Sequence, residues 1–241
     1  DRRQRQMCIR DSKKLLCIVA VIIICLAGLT VKGCEVKKSF ADDTDVRKYL
    51  ESADLRFVSN PYPYSTKNDA FADYNDIKGY EDLDRVSPVI IKAHTESGLK
   101  RQIYYQCVLS QASVDEVYKG NTLCEGDIID IFEPFNLSSE HKIVSDDGYN
   151  LMNDEEEYIL FLLPLKDSNY SKQKTVYCMS ATVMSKYSCQ SAGFRLYDDE
   201  EIETGTYDYS DIKNEDVFIS DIEDFKIYNS IRKTLTDNDM L

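Results

Sequence analysis

Apolar positions follow three different rhythms along this chain of 241 residues. The first is unbroken. Residues 15–31, LLCIVAVIIICLAGLTV, form a run of seventeen residues without a charge. At about 1.5 Å of rise per residue such a helix spans roughly 25 Å, near the lower limit for a bilayer core. It also exceeds the roughly 7–15 apolar residues usual in a signal peptide. Arg2, Arg3, Arg5, Arg10, Lys13 and Lys14 precede it, against Asp1 and Asp11. This excess of positive charge predicts a cytoplasmic N-terminus and an exported remainder.

The second rhythm has period two and predicts strands. Residues 89–95 (VIIKAHT) read as a strand followed by a turn at Ser97-Gly98. A long strand is expected from residue 99 to 118. Ile103, Tyr105, Cys107 and Leu109 share one parity there, while Ala112 and Val114 take the other. Such a switch predicts a β-bulge, which bends a strand and suits a coiled barrel. Lys119-Gly120-Asn121 turns the chain, and residues 126–135 make a further strand. Residues 141–153 read as a polar loop. Residues 158–163 (YILFLL) are apolar at every position, the pattern of a central strand buried on both faces, and Pro164 is expected to close it. Residues 175–183 and 194–197 complete the β-rich part.

The third rhythm is helical. Residues 44–57 predict a short helix, capped by Asp43 or Thr44, with Val46, Tyr49, Leu50 and Ala53 on one side. Residues 81–87 make one or two helical turns ended at Pro88. Residues 220–235 read as an amphipathic helix, capped by Ser220 with Glu223 in the capping-box position. Its stripe is Ile222, Phe225, Tyr228, Ile231 and Leu235.

These elements divide the chain into a basic cytoplasmic tail (1–14), a transmembrane signal anchor (15–33), an acidic stalk (34–79) and an extracellular β-domain (80–241). Val31-Lys32-Gly33-Cys34 also resembles a bacterial lipobox, although Lys32 fits its second position poorly. Lipidation of Cys34 would leave the same domain on the same membrane face. Charge then narrows the partners. Residues 35–241 carry 22 basic against 41 acidic side chains, a net of −19. That balance argues against nucleic acid and against an anionic membrane surface as ligands.

Candidate chemistry is sparse. Cys107, Cys124, Cys178 and Cys189 lie in the exported part, where an even number suggests disulfides. Of the three pairings Cys178–Cys189 is the expected one, Cys107 as a buried thiol is the leading alternative, and the spacings make no zinc signature. His94 and His141 are the two histidines. A Cys107–His94 dyad would require Cys107 to leave an apolar face. No Gly-x-Ser-x-Gly, phosphate loop or His-Glu-x-x-His occurs. Asn136-Leu137-Ser138 is a sequon, relevant only in a eukaryote. Asp198, Asp199, Glu200, Glu201 and Glu203 could hold Ca²⁺ weakly, but a solvated acidic face is the expectation.

The order of a short acidic helix, SPVIIKAHT, a strand ending DEVYKG, GDIIDIF, EEEYILFLL and a Gly-Phe strand resembles a recurrent extracellular module. It is similar to the small OB-like barrels of the netrin and metalloproteinase-inhibitor type, and to anchored surface proteins of Gram-positive bacteria. Val117-Tyr118-Lys119-Gly120 and Tyr158-Ile159-Leu160-Phe161-Leu162 carry the likeness, over about residues 80–197. Inhibitors of that type ligate a target's metal through a free N-terminal Cys. This chain has its anchor there, so that route requires Cys34 to become a free N-terminus.

The expected protein is therefore mainly β: a transmembrane helix, then a small OB-like antiparallel barrel with a C-terminal amphipathic helix. Its expected function is non-catalytic binding of a protein or cell-wall partner at the cell surface. No catalytic, cofactor-binding or metal-ligating residue is assigned. A carboxylate-based cell-envelope hydrolase and a Ca²⁺-responsive adhesion module are the alternatives.

Overall fold

The structure is a computed structural model that describes residues 45–51, 56–60, 77–104, 107–137, 142–146, 148–165, 175–190 and 193–241. Asp43–Leu241 form one compact unit. In chain order its elements begin with α1 (Arg47–Leu50), β1 (Arg56–Asn60), α2 (Tyr80–Val86), β2 (Val89–His94), β3 (Arg101–Tyr104) and β4 (Cys107–Lys119). There follow β5 (Ile128–Glu133), β6 (Phe135–Leu137), β7 (Lys142–Asp146), β8 (Glu157–Leu165), β9 (Val176–Met179), a 3-10 turn at Thr182–Ser185, and β10 (Lys186–Ser188). The chain ends with β11 (Gly193–Leu196), α3 (Asp199–Thr204), α4 (Tyr209–Ile212), β12 (Glu215–Ile219) and α5 (Ile222–Asp237).

Five strands close a barrel in the order β8-β2-β4-β5-β9, with β9 returning to β8. All neighbours are antiparallel except β5 and β9, which run parallel. This closed five-stranded barrel is compatible with an OB-like fold. Side-chain alternation builds it. Ile91, Ala93, Ala112, Val114, Ile129, Ile131, Leu160 and Leu162 fill the interior. The opposite parity on β2 and β8, Ile90, Ile159 and Phe161, belongs to a second cluster with Leu83 of α2 and Tyr228, Ile231 and Leu235 of α5. β8 is thus buried on both faces, as its unbroken apolar run predicts.

Several expectations shift. The single strand over 99–118 is a hairpin, with β3 antiparallel to β4 and Tyr104 opposite Cys107. No Gly, Pro, Asn or Asp lies between 101 and 110, so turn chemistry leaves no mark where the chain reverses. Bulges do exist in β4, but against β2, where one extra residue (Asp115, then Tyr118) loops out at each register shift. The strand over 126–135 breaks at Pro134 into β5 and β6, and the polar loop over 141–153 contains β7, which pairs with β6 and, in parallel, with β1. β8 runs through Pro164, which faces Tyr177. The β2 pairing has ended at Leu162, so proline's missing N–H falls on an open edge.

α5 is capped one residue later than expected: Asp221, rather than Ser220, accepts from the backbone N–H groups of Glu223 and Asp224. Tyr228, Ile231 and Leu235 are buried, while Ile222 is 55% exposed and outside the stripe's packing. The acidic run at 198–203 is mostly helix α3, capped by Asp198. Within the stretch read as a stalk, the Val46 N–H donates to the Arg101 carbonyl at 2.9 Å and Val46 is wholly buried. Residues 15–33, Cys34 and His141 lie outside the described residues. Among the described residues no helix is long and apolar enough to cross a membrane.

Candidate functional site

With 17 Tyr and no Trp, large core positions fall to tyrosine, whose buried phenol usually finds a polar partner. Tyr149 donates to Glu133 Oε2 at 2.9 Å, Tyr209 to Asn150 Oδ1 at 3.0 Å and Tyr158 to Glu156 Oε2 at 2.7 Å. These partners open the first polar centre, at one end of the barrel interior. Glu133 of β5 is wholly buried beside Arg101 of β3, and the guanidinium Nη2 donates to Oε1 at 2.9 Å. Ser110 also donates to Oε1, and the Met152 N–H to Oε2 at 2.9 Å. Arg101 further donates to Ser110 Oγ at 3.1 Å and the Met152 carbonyl at 2.7 Å.

The centre continues outward through Asp154. Its carboxylate accepts from Thr95 Oγ1 at 2.6 Å and from Arg47 Nε at 2.6 Å. Burial alone would raise the Asp154 carboxyl, but hydrogen bonds from Arg47 and Thr95 and the charge of Arg101 hold it below its ordinary value. Burial likewise opposes charge on Arg101, and Glu133 more than offsets it. Tyr149 is pushed well above the usual phenol range, first by burial and then by the Glu133 charge. Every charge here meets an opposite one, and the donors converge on it. Chemically this is a satisfied plug, with Glu133 committed to four donors.

The outer wall presents a different surface. Helices α2 and α5 cover its upper half at Ile90 and Phe161. Further along β2 and β8 the outward residues are Lys92, His94 and Glu157. His94 Nδ1 lies 2.9 Å from both carboxylate oxygens of Asp115, the residue that the first bulge loops out of β4. Lys92 pairs with Glu157 at 3.3 Å, and Tyr118 donates to Glu116 at 2.8 Å. Side-chain exposures of 25% for Lys92, 28% for His94, 26% for Asp115 and 51% for Glu157 leave the strip partly exposed. The Asp115 hydrogen bond raises the His94 pKa, against a smaller opposing effect of burial.

The other weighed residues do not converge. His94 faces Asp115 rather than Cys107, whose thiol donates to the Tyr104 carbonyl at 3.0 Å. No disulfide joins any two of Cys107, Cys124, Cys178 and Cys189. The expected Cys178–Cys189 bridge is absent because the local turn contains the 3-10 segment, which carries the chain from β9 to β10 rather than folding it back. Burial pushes the Cys178 thiol up to about 12 and that of Cys189 to about 11. Among the described residues no group of three or more His, Cys, Asp and Glu is arranged to hold a metal ion. In the acidic run, Asp198 serves as the α3 cap and Glu201 accepts from Tyr207.

Arg101, Glu133, Asp154, Lys186 and Asp216 all escape sequence reasoning. Glu133 alone carries a signal: it continues the inward parity of Ile129 and Ile131. Arg101 could be paired with it only once β3 was known to fold back on β4. No protein-family model matches this chain, and no curated protein matches it.

Proposed function

We propose that this chain is a membrane-anchored, extracellular, non-catalytic binding module, held by residues 15–33 and displaying its OB-like barrel to a protein or cell-wall partner. The observation that carries the reading is the partly exposed polar wall of β2, β4 and β8. Its groups are paired with one another yet partly exposed, an arrangement suited to exchanging hydrogen bonds with a partner. The buried charges are instead locked in place by several donors each. The anchor reading rests on the uncharged run with its basic flank, and the barrel order is in keeping with the netrin and metalloproteinase-inhibitor type.

Three measurements test it. In intact cells, a membrane-impermeant maleimide should label Cys124, the exposed thiol of the β4–β5 loop. Labelling only after lysis would refute the exported placement. Cosedimentation with isolated cell envelopes should weaken when Lys92→Glu and His94→Glu remove the basic groups of the wall. A hydrolytic activity of the purified chain that vanished with His94→Ala or Cys107→Ala would overturn the non-catalytic reading.

A further inference from the structure

The second buried polar centre lies between the barrel and α5. Lys186, the first residue of β10, is 1% exposed and Asp216 of β12 is not exposed at all. Lys186 Nζ donates to Asp216 Oδ1 at 2.7 Å and to the Asp216 carbonyl at 3.0 Å. Its remaining approach is closed by the Tyr158 ring, whose centroid lies 4.7 Å from Nζ, and the Tyr149 ring at 5.4 Å. The two oxygens of Asp216 have different surroundings. Oδ2 accepts from the Ser188 backbone N–H at 2.9 Å and from the Tyr228 hydroxyl at 2.5 Å, with Arg232 Nη1 at 4.0 Å.

We infer that Lys186 and Asp216 condense into an intramolecular amide bond that staples β10 to β12. The geometry divides the work between the oxygens. The Lys186 ammonium passes a proton to Oδ1, leaving a neutral amine beside a neutral acid. The Nζ lone pair then attacks Cγ. Negative charge collects on Oδ2, where Ser188 N–H and Tyr228 OH stand as an oxyanion hole. A second proton moves from nitrogen to Oδ1, the Cγ–Oδ1 bond breaks and one water leaves. One hydrogen stays on the amide nitrogen, Oδ2 becomes the amide carbonyl, and one positive and one negative charge cancel. No oxidant or cofactor is consumed.

The driving force is the site's dryness. A desolvated ion pair sacrifices hydration that its mutual attraction only partly restores, whereas the amide carries no charge. Holding nucleophile and acyl carbon together inside the fold removes the entropic barrier to a reaction that is slow between free solutes. Of the buried ion pairs, Arg101–Glu133 cannot follow this path, because a guanidinium stays protonated and is a poor nucleophile.

The test is the intact mass of the purified full-length chain after denaturation. The expected value is one water below that of the 27.7 kDa sequence. Trypsin should fail to cut after Lys186 and release a branched peptide whose fragments join residues 186 and 216. Lys186→Arg, which keeps the charge but cannot condense, should restore the full sequence mass. Tyr228→Phe should lower the cross-linked fraction of newly synthesised protein. A wild-type chain at full sequence mass, or a water loss that maps elsewhere or persists in Lys186→Arg, overturns the proposal. The wild-type measurement stands whether or not the variants fold.

Discussion

Glu133→Gln attacks the barrel's polar plug at its most connected atom pair. The carboxylate accepts from Arg101 and Ser110 on one oxygen and from Tyr149 and Met152 on the other. Glutamine keeps the shape, but its amide group must point donors at donors on one of these sides. Arg101 stays 2% exposed, with Asp154 at 3.5 Å as its remaining acidic neighbour. Removing one partner of such a pair costs about 3–5 kcal/mol, because the surviving charge is left uncompensated. For a domain stable by about 5–15 kcal/mol, that is a large share of the total. At about 2–4 °C per kcal/mol for a chain of this size, Tm should fall by roughly 6–20 °C. With no Trp present, urea unfolding is followed by far-ultraviolet circular dichroism or tyrosine fluorescence. The double variant Arg101→Met/Glu133→Leu should regain most of the loss, since a buried pair exchanged for apolar groups is often neutral or stabilising. A cost below about 1 kcal/mol, the worth of an exposed pair, would refute the reasoning. So would a double variant no more stable than the single.

Three further outcomes follow from particular atoms. Gly148→Ala should destabilise by at least about 1–2 kcal/mol from its left-handed backbone alone. Its φ is +82°, and an added Cβ would stand 2.1 Å from the Phe218 carbonyl oxygen; a wild-type Tm would contradict this. His94 should titrate above the ordinary histidine value, and Asp115→Asn should return it towards that value, as read from its imidazole proton resonances. Because the folded pKa is raised, the pair stabilises fully below the unfolded value and loses that contribution as pH rises through the folded one. An unchanged titration in Asp115→Asn would dismiss the pairing. Finally, the exposed Cys124 should react with a thiol reagent in the native chain well before the buried Cys178, whereas equal rates would mean that β9 opens freely.

The sequence by itself determined which barrel strands alternate and which segment is buried on both faces. The unbroken YILFLL run became β8, lying in both hydrophobic clusters, because burial on two faces removes the need for alternation. α2 and α5 were legible for the same local reason: a stop at Ser87-Pro88 and a 3.6-residue stripe over Tyr228, Ile231 and Leu235. Where local signals were absent, the reading strayed. The β3–β4 reversal carries no turn residue, and β7 pairs in parallel with the remote β1.

Apart from the inward parity of Glu133, the polar centres belonged to tertiary structure. Arg101 and Glu133 are 32 residues apart, and Lys186 and Asp216 are 30 apart. Each charge taken alone reads as a surface residue, because burying it is unfavourable unless its counter-charge arrives from another strand. Barrel closure and the docking of α5 bring those strands together. Periodicity reports the faces of an element, whereas the partner a face meets is a property of the folded chain.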